Sequence, residues 1–340
     1  MNAGILGILV VAGLAVLLWP RSGLLARARR SRQQAIRARQ EDALKHILKC
    51  EAASRTATLE SLAGALGIPS GAAASLLARL QESGLVSFDE GRLGLLGPGR
   101  ELAVHIIRAH RLWESYLADQ TGVEETEWHR QAERQEHLLT PQDADALSAR
   151  LGHPTHDPHG DVIPEPRGPL AAESGRSLNG APLDLPVMIT HIEDEPESVY
   201  REIAALNLRV GMRVLVSQRS PAGVRFLADG TEHRLSPVLA ENVFVVPLPE
   251  VNPRDLVEEE FLSGLARGTQ ATVLGLSPAC RGAERRRLLD LGFVPGTIVA
   301  HEQVSPAGDP TAYRLRGTVV ALRREQANLI RIRTLGSSSA

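Results

Sequence analysis

The feature that most restricts the fold is an internal repeat in the C-terminal half of the chain. Leu206-Asn207-Leu208-Arg209-Val210-Gly211-Met212-Arg213-Val214 shares the pattern L-x-[LF]-x-x-G-x-x-V with Leu291-Gly292-Phe293-Val294-Pro295-Gly296-Thr297-Ile298-Val299, 85 residues on. Further along, Leu235, Ala240 and Val243 match Leu322, Ala327 and Ile330 with the same internal spacing. Such a repeat is one small structural unit built twice. From about Pro186 to Arg333 the chain runs in short Val/Ile/Leu stretches broken by glycines, which are strand and turn signals. The unit is therefore a small β-barrel, expected once over 186–248 and again over 262–333. Its glycines serve tight turns, a structural role and not a catalytic one.

The segment 41–100 has the rhythm of a winged helix-turn-helix. One helix is expected over Glu41–Cys50 and a second over Leu59–Leu66, ended by Gly67. Ser70 is the expected N-cap of a third helix that runs to about Gln81. Val86–Leu95, folded about Asp89-Glu90-Gly91, suits a hairpin wing. In a DNA-binding winged helix the third helix enters the major groove. Ser70, Ser75, Arg79 and Arg92 are the candidate DNA contacts. The block carries six basic and seven acidic side chains, although phosphate contacts supply most non-specific DNA affinity. A DNA reader and a winged helix kept for packing or dimerisation both satisfy these residues.

The whole chain has a net charge of −2, which excludes a strongly basic nucleic-acid coat and an acidic tail protein. That average hides an uneven N-terminus. Residues 1–20 carry no charged side chain, and Gly4–Trp19 is apolar enough for a short membrane span. Arg21, Arg27, Arg29, Arg30, Arg32, Arg37 and Arg39 follow with no acid before Glu41. Positive charge after the span places the C-terminal domains in the cytoplasm. A cleaved signal peptide would show a basic start and a small-residue cleavage site, and neither is evident. Residues 1–20 are thus expected to be a transmembrane anchor in the cytoplasmic membrane. Residues 21–40 would be an Arg-rich juxtamembrane helix on anionic lipid. Cys50 and Cys280 cannot make a disulfide framework, in keeping with a reducing compartment.

Seven of the eleven histidines fall between His105 and His159. Two helical stretches present them with carboxylates. His110 and Glu114 are spaced i, i+4. His129, Glu133, Glu136 and His137 are spaced i, i+4, i+7, i+8, again on one face. Imidazole and carboxylate offered together from two helices suit a divalent transition ion. Taken one helix at a time, solvated ion pairs with neighbouring arginines account for the same spacing.

The runs R-A-H-R-L-W-E-S-Y-L, W-H-R-Q-A-E-R-Q-E-H and H-P-T-H-D-P-H-G-D-V-I-P, behind a winged helix, resemble the diphtheria-toxin-repressor family of iron- and manganese-dependent regulators. The resemblance covers about residues 41–165. It implies a metal-binding and dimerisation domain at 101–165 and a homodimer, with Mn²⁺ or Fe²⁺ as cofactor. It implies that His110, Glu133, Glu136 and His137 line one site, with His129 and Glu114 beside them or at a second. The position of the family's ligand from helix one is Asp42 here. Manganese-type members carry Glu three residues later, where this chain has Lys45, so a two-metal cluster of that type is in question. Glu133 stands where iron-type members carry Cys. The remaining linker is 166–185, and His153, His156 and His159 are expected to be turn residues. The second barrel resembles a FeoA-like domain and the first the SH3-like third domain of iron-dependent regulators. Both imply protein contacts, with the chain's own linker or with a ferrous-iron transporter. In one branch the SH3-like domain also lends a metal ligand, for which Glu195 or Glu197 lies in about the right place.

The expected fold class is a multidomain α+β chain: N-terminal transmembrane helix, winged helix-turn-helix, helical metal-binding and dimerisation domain, and two small SH3-like β-barrels. No phosphate-cradling loop, nucleophile elbow, H-E-x-x-H or C-x-x-C is present, so an enzyme is not expected. The expected function is a membrane-tethered, metal-dependent transcriptional regulator. The rival is a metal-sensing accessory protein of an iron or manganese transporter, with a vestigial winged helix.

Overall fold

A computed structural model describes residues 24–171, 175–251, 253, 256 and 260–335. The expected anchor at 1–20 lies outside the described residues. Among those described, no single helix is long and apolar enough to cross a membrane. The chain divides into two compact units. One comprises Met1–Ala109, Arg134–Gln142 and Pro164–Ala172, and the other His110–Glu133, Asp143–Ile163 and Glu173–Ala340.

The first unit holds the winged helix. Helix α1 runs unbroken over Leu24–Ala52, merging the expected juxtamembrane helix with the first helix of the motif. No glycine or proline interrupts this Ala/Leu/Arg/Gln-rich stretch, so nothing stops the helix at Glu41. Helix α2 (Leu59–Ala65) is closed at its start by a capping box between Thr58 and Ser61. Helix α3 spans Ser70–Glu82, and its N-cap is Pro69, not Ser70. The Pro69 carbonyl already accepts from the N–H groups of Ala72 and Ala73, which puts Ser70 inside the first turn. Strands β1 (Val86–Asp89) and β2 (Arg92–Leu95) form the wing as an antiparallel hairpin. Leu44, Ile47, Leu62, Leu76, Leu80, Val86 and Leu93 make one aliphatic core. Burying each such side chain favours folding by roughly 1.5–3 kcal/mol.

Helix α4 (Gly97–Gln120) and helix α5 (Trp128–Glu136) each contribute residues to both units. In the second unit, Leu112 of α4 packs on Ala144 and Leu147 of α6 (Pro141–Arg150) and on Ile163.

The rest of the second unit is two six-stranded antiparallel sheets of the same topology. The first has the order β3 (Arg176–Ser177), β8 (Val243–Pro247), β4 (Pro186–Ile192), β5 (Arg213–Ser220), β6 (Gly223–Ala228), β7 (Thr231–Leu235). The second has β9 (Glu260–Phe261), β14 (Ile330–Thr334), β10 (Gln270–Leu276), β11 (Ile298–Val304), β12 (Thr311–Leu315), β13 (Thr318–Leu322). A register shift between Val216 and Gln218 recurs between His301 and Gln303. Helices α7 (Glu197–Ala204) and α8 (Pro237–Glu241) in the first barrel have counterparts in α9 (Gly282–Asp290) and α10 (Arg324–Ala327). Leu208 and Phe293 fill the same place in the two cores.

Candidate metal centre

In the second unit, two helices and two loops deliver side chains to one buried cluster. His110 and Glu114 lie one turn apart on α4, so they share a face, and His129 lies in the first turn of α5. Asp157 and His159 come from the loop after α6, and Asp194 from the loop after β4. His110 Nε2 is 3.1 Å from Glu114 Oε1. His129 Nδ1 is 2.6 Å from Asp194 Oδ2 and 3.4 Å from Glu114 Oε1. His159 Nδ1 stands 3.6 Å from both Glu114 Oε2 and Asp194 Oδ2. Donor atoms of His110, Glu114, His129 and Asp194 lie within 4.8 Å of one another, as do those of Glu114, Asp157 and His159. Glu133 and Glu195 reach His129 Nε2 from the exposed side, at 3.5 and 3.3 Å.

The electrostatics are those of buried carboxylates in need of cations. Glu114 is 1% exposed, His159 2% and Asp157 6%. Burial opposes ionisation of Glu114, yet His110 and His159 hold it well below the usual carboxylate range. Asp194 is likewise lowered, against its burial, by His129 and His159. His159 is raised to about 10 because Glu114 and Asp194 outweigh its burial. Asp157 is pushed up to about 8 by burial and then by Asp161 and Glu114. Within the chain these carboxylates are balanced by imidazoles and by Arg111, whose Nη2 is 3.0 Å from Asp161 Oδ1 and whose Nε is 3.9 Å from Asp157 Oδ2.

The residues fit a divalent ion. Three buried atoms, His129 Nδ1, His159 Nδ1 and Asp157 Oδ2, have no partner of hydrogen-bond geometry among the described residues. Buried polar atoms are normally satisfied, and a cation seated among these three would satisfy them together. Oxygen and imidazole donors without sulfur suit Mn²⁺ or Fe²⁺.

A chain of hydrogen bonds behind the cluster orients His159. The Tyr200 hydroxyl donates to Glu125 Oε1 at 2.5 Å and lies 3.0 Å from His159 Nε2. Arg209 pairs with the same Glu125 at 2.5 Å. An ionised carboxylate only accepts, so the phenol gives its proton to Glu125 and accepts from His159 Nε2–H. That leaves Nδ1 as the atom turned to the carboxylates, the arrangement by which outer partners orient ligating histidines. Burial and Glu125 push the phenol above its ordinary range and keep it protonated.

The loop itself is tightly specified. Asp157 Oδ1 accepts from the N–H groups of His159 and Asp161, each at 2.9 Å. Gly160 has φ +95, and a Cβ there would lie 1.9 Å from Thr190 O. Only glycine permits that approach.

The first unit holds a second group. Asp42 of α1 and Glu136 and His137 of α5 and its C-terminal end present donor atoms within 4.8 Å of one another. His137 Nδ1 is 2.7 Å from Glu41 Oε2 and its Nε2 is 3.2 Å from Asp42 Oδ1. Burial opposes the charge on His137, but Asp42 and Glu41 raise it to about 9. The Lys45 ammonium donates to both Glu136 oxygens, at 3.1 and 2.9 Å. This group is charge-compensated from within the chain.

Asp157, His159 and Asp194 were not among the expected ligands. His153 and His156 are exposed, His156 in a short antiparallel bridge with Val162, whereas His159, expected in a turn, is central to the buried cluster. Of the expected barrel residues, Glu195 approaches His129 and Glu197 pairs with Arg201 in solvent. The candidate DNA contacts Ser70, Ser75, Arg79 and Arg92 are all exposed. Ser75 spends its hydroxyl on the Gly71 carbonyl.

Fold and cluster together define a winged-helix protein with a metal-sensor domain. Residues 97–165 match the metal-binding and dimerisation domain of iron-dependent repressors, and residues 262–334 match the FeoA domain. The iron-dependent repressor IdeR of Mycobacterium leprae is 30% identical over 161 residues, which cover 43% of this chain and 69% of that protein. The chain belongs to the iron-dependent repressor family. A manganese-dependent transcriptional repressor in complex with manganese superposes with a TM-score of 0.56 at 29% identity, over 62% of this chain and 100% of that one. A probable metal transport system membrane protein of Chlamydia trachomatis is 43% identical over 86 residues, covering 25% of this chain and 19% of its own length. The chain thus spans about a fifth of that relative.

Proposed function

We propose that the chain is a Mn²⁺- or Fe²⁺-dependent transcriptional regulator that binds DNA as a homodimer. The observation that carries this reading is the buried convergence of Glu114, His129, Asp157, His159 and Asp194, in a chain that also carries an intact winged helix. Glu114, Asp157, His159, Asp194 and His129 would hold the ion, which supplies positive charge among the buried carboxylates. His159 must give up its Nδ1 proton to ligate, so binding releases protons and strengthens as pH rises. In the first unit, Asp42 and Glu41 engage His137 while Lys45 engages Glu136, and these contacts tie α1 to the end of α5. Asp42, Glu136 and His137 also form a donor set for a cation there, once Lys45 is displaced.

The tether at residues 1–20 and the cytoplasmic placement of the following domains belong to the same proposal, supported by the apolar run and the arginines after it. The second reading, an accessory of a metal transporter, draws on the FeoA match and on the membrane transport protein that shares 86 residues. Selection of genomic DNA fragments by the full chain, with and without Mn²⁺, separates the two. Enrichment of defined fragments only with Mn²⁺ supports the regulator. No enrichment in either condition refutes it.

A further inference from the structure

The second barrel has no side chain in the cluster, yet it grips the loop that carries two of the cluster's residues. Arg281, at the start of α9, donates from Nη2 to the Pro158 carbonyl at 3.1 Å. Pro158 lies between Asp157 and His159. The next carbonyl, that of His159, accepts from Ile192 N–H of the first barrel at 2.9 Å. Consecutive carbonyls of this loop are therefore held by different barrels. The same edge of the second barrel reaches the C-terminal end of α4, the helix that carries His110 and Glu114. Arg286 donates to the Asp119 carbonyl there, and Gly282 packs so closely that a Cβ would lie 3.0 Å from Ala118 O.

Arg281 is half-buried; burial and then the neighbouring Arg209 lower its pKa, while Glu125 and Asp119 act the other way. Beside it a cavity of 410 Å³, lined by Ser115, Asp119, His156, Asp157, Cys280 and Arg281, runs along the flank of the loop. The Arg281 bond crosses beside that open flank.

We propose that Arg281 is a positioning residue for the metal centre, and that through it the FeoA-like barrel is linked to metal occupancy. The inference rests on the reading of the cluster as a cation site. Seating an ion on Asp157 and His159 fixes the Pro158 carbonyl where Arg281 can meet it. Docking of Arg281 in turn presents Asp157 and His159 to the ion. Linkage of this kind is reciprocal.

The test is titration of the full chain with Mn²⁺ alone, paired with amide hydrogen exchange. Arg281→Ala should weaken Mn²⁺ binding by roughly fivefold or more, with the number of bound ions unchanged. Mn²⁺ should slow exchange over residues 278–286 in the wild type and not in Arg281→Ala. Arg281→Lys keeps a cationic donor and should recover part of both effects, and it carries the test if the alanine variant loses the barrel. Arg286→Ala removes a docking bond that does not touch the loop and should leave affinity within about twofold of wild type. Equal affinities for wild type and Arg281→Ala, or no Mn²⁺-dependent protection of 278–286 in the wild type, overturn the inference while the cation site stands. A wild type that binds no Mn²⁺ refutes the site itself and this inference with it.

Discussion

Tyr200→Phe removes one oxygen and keeps the ring, so it isolates the hydrogen-bond chain behind His159. In the native arrangement the phenol donates to Glu125 at 2.5 Å and accepts from His159 Nε2–H across 3.0 Å. The variant leaves His159 Nε2–H facing a ring edge and Glu125 with Arg209 alone. Losing hydrogen bonds to buried polar and charged partners costs about 1–3 kcal/mol of stability. Loss of an outer partner of a ligating histidine typically weakens metal binding about 10–100-fold. That range corresponds to roughly 1.4–2.8 kcal/mol, so the two measurements should agree in scale. Mn²⁺ affinity by calorimetry and the urea midpoint without metal, both at one pH, provide the assay. The variant should remain folded and bind Mn²⁺ at least tenfold more weakly. Affinity within twofold of wild type, with the fold intact, would show that the chain from Glu125 to His159 does not orient the site.

Gly160→Ala places a Cβ 1.9 Å from Thr190 O at a φ of +95. It should cost roughly 3 kcal/mol or more of stability, read as a drop in the denaturant midpoint, and an unchanged midpoint would refute the stated fit. His137 is raised from 6.5 to about 9 in the folded chain. Its contribution is fully present below pH 6.5 and is lost as pH rises through about 9. Without metal, the stability advantage of wild type over His137→Gln should therefore shrink across that window, from a ceiling of about 3 kcal/mol. A pH-independent difference would remove the ion-paired role given to His137. Phe293→Ala empties the centre of the second barrel, where the ring is fully buried, and should cost about 3–5 kcal/mol by denaturant unfolding.

Much of the architecture was legible because it is periodic. The offset that relates Leu208 to Phe293 reflects a real duplication, and the two sheets repeat strand order and even a register shift. The pairs His110 with Glu114 and His129 with Glu133 were visible because helical spacing puts them on one face. Asp157, His159 and Asp194 come from loops, where no period marks direction, and only the fold brings them to Glu114. The dense run H-P-T-H-D-P-H-G-D was visible, but which of its histidines turns inward is decided by the Asp157 turn and by Tyr200. A change in charge at Glu41 resembles a helix boundary, whereas the backbone responds to breakers, and none is there, so α1 runs through it.

The central claim is that Glu114, Asp157, His159, Asp194 and His129 hold a divalent ion, with His159 Nδ1 as a ligand. The most direct measurement is pulsed electron paramagnetic resonance of Mn²⁺ bound to the full chain, compared with His159→Gln. The account predicts imidazole nitrogen coupling in the wild type, with one nitrogen lost in the variant along with most of the affinity. An unchanged nitrogen signal and unchanged affinity in His159→Gln would contradict it.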